Sequence, residues 1–126
     1  MTTKWEKLIK ISRNNMELPI GGQLHFSFIL KKKKIISFGY NNAWKSNPYA
    51  LKYGHRFLAI HSELMAIKNF PYRISDLVDF TFVNVRLRKN GEIALSKPCE
   101  CCQRMLIAFN INEVYYTTNN GDFVKW

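Results

Sequence analysis

The sequence is short of cysteine, of acidic residues and of long apolar runs, and each shortage excludes a class of protein. Its three cysteines, Cys99, Cys101 and Cys102, lie within four positions, so they cannot pair with one another without strain and have no distant partner. No apolar run approaches the roughly 20 residues that span a membrane, and residues 1–7 lack the apolar core of a signal peptide. The sequence therefore excludes a disulfide scaffold and predicts a soluble cytoplasmic protein with no membrane partner, in the host cytoplasm if the source is viral.

The shortage of acidic residues makes the chain strongly basic. Nineteen Lys and Arg against nine Asp and Glu give a formal net charge of +10 at pH 7, which favours an acidic partner or substrate, phosphate above all. Apolar residues make up 47% of the 126 residues and aromatic residues 14%, enough for a folded core and too many for a disordered chain. No repeat or linker is visible, so we expect a single domain over residues 1–126.

Hydrophobic periodicity and turn residues predict an alternation of helices and strands. Helices are predicted at 4–13, 58–70 and 98–110, and strands at 23–30, 35–40, 79–88 and 114–117, with short strands at 93–95 and 123–126. This order is typical of an α/β protein with three layers, an α/β/α sandwich around a five-stranded mixed sheet. Only eight residues follow Thr118, too few for a helical crossover, so the last strand is expected to run antiparallel to its neighbour.

Two short motifs carry the chemistry. His61-Ser-Glu63 lies in the first turns of one predicted helix, and Pro-Cys99-Glu-Cys-Cys102 opens another. Cys99 and Cys102 are three residues apart and share a helix face, where two thiolates can bind one ion, whereas Cys101 is rotated away from it. Two sulfur ligands and the His61 imidazole favour Zn²⁺ and leave a fourth position for water, as in a catalytic site. Glu63 is then placed to move the proton of that water.

These residues resemble the signature of the zinc-dependent cytidine and deoxycytidylate deaminase superfamily, which is His-x-Glu followed by Pro-Cys-x-x-Cys. The resemblance spans nearly the whole chain, since the order of helices and strands also fits the cytidine deaminase-like fold. It implies that His61, Cys99 and Cys102 hold Zn²⁺ and that Glu63 is the general acid and base. The reaction it implies is attack of zinc-bound hydroxide on C4 of cytosine, or C6 of adenine, with loss of ammonia.

Other residues indicate the substrate class, and some favour a nucleotide whereas others favour a nucleoside. Gly39-Tyr-Asn41 resembles the Gly-x-Asn of deoxycytidylate deaminases, whose Asn contacts the sugar, and the alternative is a turn residue at a strand end. A His at position 61, where other branches have Cys, also favours the nucleotide branch. Gln103 and an antiparallel last strand instead resemble the compact nucleoside branch of the superfamily, so the substrate class stays open.

The segment before His61 is basic and aromatic, and four of its residues are candidate substrate contacts: Trp44, Lys45, Lys52 and Arg56. Such side chains suit a 5′-phosphate, or a single strand whose bases stack on the aromatic rings. The alternative is a solvated loop whose aromatic residues anchor in the core or in an oligomer interface. Arg86, Arg88 and Lys89, which alternate along a predicted strand or end it, are expected at the surface.

The sequence therefore predicts a zinc-dependent enzyme that deaminates cytosine in a small nucleoside or nucleotide, deoxycytidylate or deoxycytidine. The alternative is a deaminase acting on cytosine or adenine in single-stranded DNA or RNA, for which the net charge and the aromatic segment are the argument. A third interpretation is a non-catalytic zinc-bound nucleic-acid-binding module, and Glu63 argues against it because a structural site does not need that residue. A small enzyme of this kind is expected to form a homo-oligomer.

Overall fold

The computed structural model describes residues 3–20, 22–42 and 61–126. Within these ranges the elements are α1 (Lys4–Asn14), β1 (Leu24–Lys31), β2 (Lys34–Tyr40), α2 (Ser62–Lys68), a 3-10 helix (Ile74–Asp79), β3 (Thr81–Leu87), β4 (Ile93–Ala94), α3 (Glu100–Ala108), β5 (Glu113–Thr117) and β6 (Phe123–Lys125). Among the described residues, every helix is too short or too polar to cross a membrane.

The strands form one mixed sheet. Its order is β2-β1-β3-β5-β6, with β4 pairing β3 off this path. The pair β3 and β5 is parallel, and the other pairs are antiparallel. The five strands of the main path match the predicted number, and the two-residue β4 is the sixth. The last strand returns antiparallel to β5, which confirms the expectation drawn from the short C-terminal segment.

Two apolar cores flank the sheet, one on each face, because successive side chains of a strand point to opposite faces. The core under α1 contains Leu8, Ile9, Phe26, Phe28, Leu30, Val83, Val85 and Leu87. The opposite core joins α2 and α3 to the alternate strand residues and includes Ile29, Leu64, Met65, Phe82, Met105, Leu106 and Val114. This arrangement confirms the predicted three-layer α/β/α sandwich.

The structure differs from the sequence prediction at several helix boundaries. Both motif helices start later than predicted, because His61 and Cys99 keep extended backbones and act as N-caps. Residues 58–60 of the predicted second helix lie outside the described ranges. The 3-10 helix was not predicted; the Asp76 carboxylate accepts a hydrogen bond from the Arg73 N–H at its start, and Leu77 is buried in the second core.

Gly39 sets the distance between α2 and the sheet. A Cβ atom at this position would collide with backbone atoms of Ala66, Ser62 and Met65, so only glycine allows the helix to pack this closely on β2. The Ser37 hydroxyl also donates to the Ala66 carbonyl at 2.5 Å. These contacts fix the helix whose N-terminal end carries His61 and Glu63.

Candidate metal centre and active site

His61, Cys99 and Cys102 converge at one point of the fold. Their candidate ligand atoms all lie within 4.8 Å of one another, and His61 Nδ1 is 3.6 Å from Cys99 Sγ and 3.5 Å from Cys102 Sγ. Within the described part of the chain, this is the one group of three or more His, Cys, Asp or Glu residues with such geometry. The structure thus brings together the three residues that the sequence predicts as metal ligands.

The local backbone explains how two helices deliver these side chains. His61 is the N-cap of α2 and Cys99 the N-cap of α3, each with extended backbone dihedrals. Cys99 Sγ accepts a hydrogen bond from the Cys102 N–H at 3.5 Å, as a capping side chain does. The free N–H groups and partial positive charge at the starts of both helices stabilise a thiolate at this point.

The three groups are also coupled electrostatically. The hydrogen bond from Cys102, and after it that from His61, lowers the pKa of Cys99 to about 3, so its sulfur is a thiolate at neutral pH. The contact with Cys99, together with burial, raises the pKa of Cys102. Hydrogen bonding to Cys99 likewise raises the pKa of His61. A cation that binds both sulfur atoms must therefore displace the Cys102 proton.

This donor set fits Zn²⁺. Two thiolate sulfur atoms and one imidazole nitrogen are the ligand types that zinc prefers, and three protein ligands leave one tetrahedral position open. Cys101 stays outside the cluster, and its sulfur instead accepts a hydrogen bond from Arg104 at 3.3 Å. This placement agrees with the prediction from the cysteine spacing that Cys101 faces away from the metal.

Glu63 is a buried carboxylate next to the cluster. Its side chain is only 6% exposed, and its charge is close enough to raise the pKa of His61. Both carboxylate oxygens are held: Oε1 accepts from Ser62 Oγ at 3.1 Å, and Oε2 accepts from Asn84 Nδ2 at 3.1 Å. The carboxylate is therefore oriented by the protein rather than free to rotate.

Asn84 is the hub of the polar network behind this carboxylate. Its second N–H donates to the Ser96 carbonyl at 3.2 Å, and its Oδ1 accepts from Ser27 Oγ at 2.6 Å. Ser96 Oγ donates to the Asn84 carbonyl at 2.9 Å and accepts from the Thr117 N–H at 2.7 Å. Among the described residues, every buried side-chain nitrogen and oxygen has a partner, so the network holds Glu63 against three strands of the sheet.

The sequence pattern does not predict this network. Asn84 interrupts an apolar strand, between Val83 and Val85, and asparagine is depleted in strands. That exception is the one signal that could have drawn attention to it.

The sequence of this chain matches the family described as the cytidine and deoxycytidylate deaminase zinc-binding region, over residues 3–118. The chain belongs to this family. The match includes His61, Glu63, Cys99 and Cys102, so the family assignment and the geometry of the cluster agree on a zinc-binding deaminase. No curated protein matches the chain.

The remaining candidate residues of this deaminase fall into two groups. Asn41 is placed at the end of β2, where its Oδ1 accepts from the His25 N–H at 3.0 Å and its Nδ2 donates to the Ile20 carbonyl at 3.2 Å. Both polar atoms of the Asn41 side chain thus form hydrogen bonds with the backbone. The contact of Asn41 with a substrate stays a prediction. The four other candidates lie outside the described residues: Trp44, Lys45, Lys52 and Arg56.

The Asn84 amide offers a test of how Glu63 is oriented. Asn84→Asp keeps the shape of the side chain, but it replaces the amide donor by a carboxylate oxygen that faces the Glu63 carboxylate and the Ser96 carbonyl. We expect turnover to fall by at least about 10- to 100-fold, because the loss of one hydrogen bond to a charged group adds to the repulsion between two carboxylates, with little change in KM or zinc content.

Steady-state kinetics, zinc analysis and the melting temperature measure these effects separately. Asn119→Asp is the matched control, because exposed Asn119 uses its Oδ1 to accept from the Leu95 N–H, which Asp can still do. Unchanged turnover in Asn84→Asp would show that Glu63 does not depend on this contact.

Proposed function

We propose that the protein is a zinc-dependent hydrolytic deaminase that converts cytosine to uracil in a small nucleoside or nucleotide, deoxycytidylate or deoxycytidine. The observation that carries this proposal is the placing of a buried, doubly hydrogen-bonded carboxylate, Glu63, beside the His61, Cys99 and Cys102 cluster. A purely structural zinc site has no use for such a carboxylate.

His61, Cys99 and Cys102 would hold the metal, and Glu63 would move the protons. Zn²⁺ bound there would lower the pKa of a coordinated water toward about 7, which supplies a nucleophile at neutral pH. Glu63 accepts a proton from the water that attacks C4 and delivers it to the departing amino group, so that water is consumed and ammonia leaves. Ser62 and Asn84 keep both carboxylate oxygens in position throughout.

A second candidate substrate is cytosine in single-stranded DNA or RNA. The net charge of +10 favours it, because a polynucleotide presents many phosphates to a basic surface. The basic and aromatic segment before His61, which contains Trp44, Lys45, Lys52 and Arg56, favours it as well.

We further propose that the protein forms a homo-oligomer and is located in the cytoplasm. Two large apolar side chains of the described residues are more than half exposed, Tyr72 at 57% and Ile107 at 64%. These two side chains are available to a subunit interface. The reduced cysteines of the cluster suit a reducing compartment.

A substrate panel tests the proposed function. Zinc-loaded protein is given deoxycytidine, deoxycytidylate or a cytosine-containing single strand, and ammonia release and conversion to uracil are measured at several salt concentrations. We expect turnover of a small substrate with a weak salt dependence. Activity on the single strand alone, weakening steeply with salt, would assign the second candidate instead, and no deamination of any substrate would refute the enzyme.

A further inference from the structure

Arg86 and His25 lie opposite each other on the face of the sheet that carries the metal cluster. They are partners in the register of β1 against β3. The neighbouring pair on the same face of the sheet is Ser27 and Asn84. Because every second residue of a strand shares a face, both side chains point to the side where Asn84 holds Glu63 and away from the core under α1. Arg86, which the sequence analysis expected at the surface, is in fact partly buried.

This pair lies past the N-terminal end of α2. Along β1, Ile29 packs into the core beneath α2, and Ser27 Oγ lies 2.8 Å from the hydroxyl of Ser62, the first residue of the helix. His25 is two residues earlier on the same face, so β1 carries it and its neighbour Arg86 beyond the helix. His25 and Arg86 therefore lie on the face of the sheet that carries the metal cluster, beyond the start of the helix that carries Glu63.

The electrostatics of His25 show how close the pair is to the reacting centre. Burial lowers the pKa of His25, and the charges of Glu63, Arg86, His61 and Cys99 act on it as well. Burial thus favours the neutral ring, which offers an N–H donor rather than a second positive charge.

Among the described residues, which include every Asp and Glu of the chain, no carboxylate pairs with Arg86. All nine acidic residues lie in the described ranges: Glu6, Glu17, Glu63, Asp76, Asp79, Glu92, Glu100, Glu113 and Asp122. The ion pairs that these ranges contain join Arg88 to Glu92 and Arg104 to Glu100. Glu63, whose charge acts on His25, has its two oxygens on Ser62 and Asn84. A partly buried guanidinium without a carboxylate is unusual, and it suits an anion supplied by a ligand.

We propose that Arg86 and His25 form a phosphate-binding subsite of the substrate pocket, with Arg86 supplying the charge and His25 a ring N–H. The proposal rests on the proposed function, since phosphate is the anionic group that cytosine nucleotides carry and nucleosides lack. Guanidinium binds phosphate oxygens in a bidentate fashion. The phosphate is the 5′-monophosphate of a free nucleotide or a phosphodiester of a single strand, and Arg86 then selects phosphorylated substrates over deoxycytidine.

Binding of the reaction products tests this subsite without any turnover. Deoxyuridylate and deoxyuridine are titrated into full-length, zinc-loaded protein by calorimetry. We expect the wild-type protein to bind deoxyuridylate about 10- to 100-fold more tightly than deoxyuridine, the effect of charge-assisted hydrogen bonds. Arg86→Gln should abolish this preference and leave the affinity for deoxyuridine unchanged, and Arg86→Lys should restore part of it.

Arg88→Gln is the matched control. Arg88 is two residues further along, exposed and paired with Glu92, so this variant should keep the full preference. The proposal is overturned if Arg86→Gln keeps the preference, or if it loses affinity for both products by the same factor, as a merely structural residue would.

A single-stranded oligonucleotide containing deoxyuridine distinguishes the two sources of phosphate. If a phosphodiester is the natural ligand, Arg86→Gln weakens oligonucleotide binding and reduces its salt slope by about 1. In that case the wild-type protein binds deoxyuridylate no more tightly than deoxyuridine. If the wild-type protein prefers neither phosphorylated ligand, the subsite is refuted. A protein that binds these ligands through Arg86 but deaminates no cytosine would refute the proposed function alone.

Discussion

Glu63→Gln is expected to lower turnover by about 10²- to 10⁴-fold, the range over which a general acid and base contributes to a reaction. Glutamine has nearly the shape of glutamate, and its carbonyl oxygen can still accept from Asn84, but it cannot take a proton from water at neutral pH. His61, Cys99 and Cys102 are untouched, so zinc content and the affinity for the product should stay close to those of the wild-type protein.

The measurement combines single-turnover kinetics on the best substrate with metal analysis of the same sample. Glu100→Gln is the matched control, because Glu100 follows Cys99 directly but its carboxylate is exposed and pairs with Arg104. It should keep full turnover, which shows that removing one negative charge near the metal is not itself harmful. Normal turnover in Glu63→Gln would show that another group moves the proton.

Cys102→Ser is expected to remove the zinc and with it all measurable activity. Cys102 is fully buried at the start of α3, and a serine hydroxyl is a far poorer ligand than a thiolate at neutral pH. Since a ligand that binds only the folded protein stabilises it, the melting temperature of the wild-type protein should fall on addition of a zinc chelator. The variant should melt at the lower temperature with or without chelator.

Cys101→Ser is the matched control for this substitution. Cys101 adjoins Cys102 in sequence but lies outside the cluster, so its variant should keep one zinc per chain, turnover and the response to chelator. If Cys101→Ser also lost zinc, or if Cys102→Ser kept it, the proposed ligand set would be wrong.

The metal ligands could be predicted from the sequence because each half of the cluster is local. Cys99 and Cys102 share one helical turn, and His61 and Glu63 lie at the start of another, so residue types and short spacings contain most of the information. The two halves come together because α2 packs on β1 and β2 and α3 packs on the same face of the sheet, in the same core.

The residues that support Glu63 could not be predicted because their contacts are non-local. Ser27 and Asn84 meet only through the register of β1 against β3, and Ser96 reaches them only after the chain has turned through β4. A shift of this register by one residue would turn Asn84 to the opposite face. The sequence shows a polar residue in an apolar strand but not what it faces.

Arg86 shows where a general preference misled the sequence analysis. Arginine is usually exposed, and its place near a strand end made the surface the natural expectation. The register pair with His25 instead places Arg86 on the face of the sheet that carries the metal cluster. Of the nineteen Lys and Arg residues, Arg86 is thus the one that we propose to bind a substrate phosphate.

X-ray absorption spectroscopy at the zinc edge can identify the metal ligands themselves. On purified, zinc-loaded protein, we expect one zinc per chain with two sulfur neighbours at about 2.3 Å, and one nitrogen and one oxygen neighbour at about 2.0–2.1 Å. The nitrogen belongs to His61 and the sulfur atoms to Cys99 and Cys102. A protein that takes up no zinc, or a zinc ion without two sulfur neighbours, would contradict the proposed zinc site.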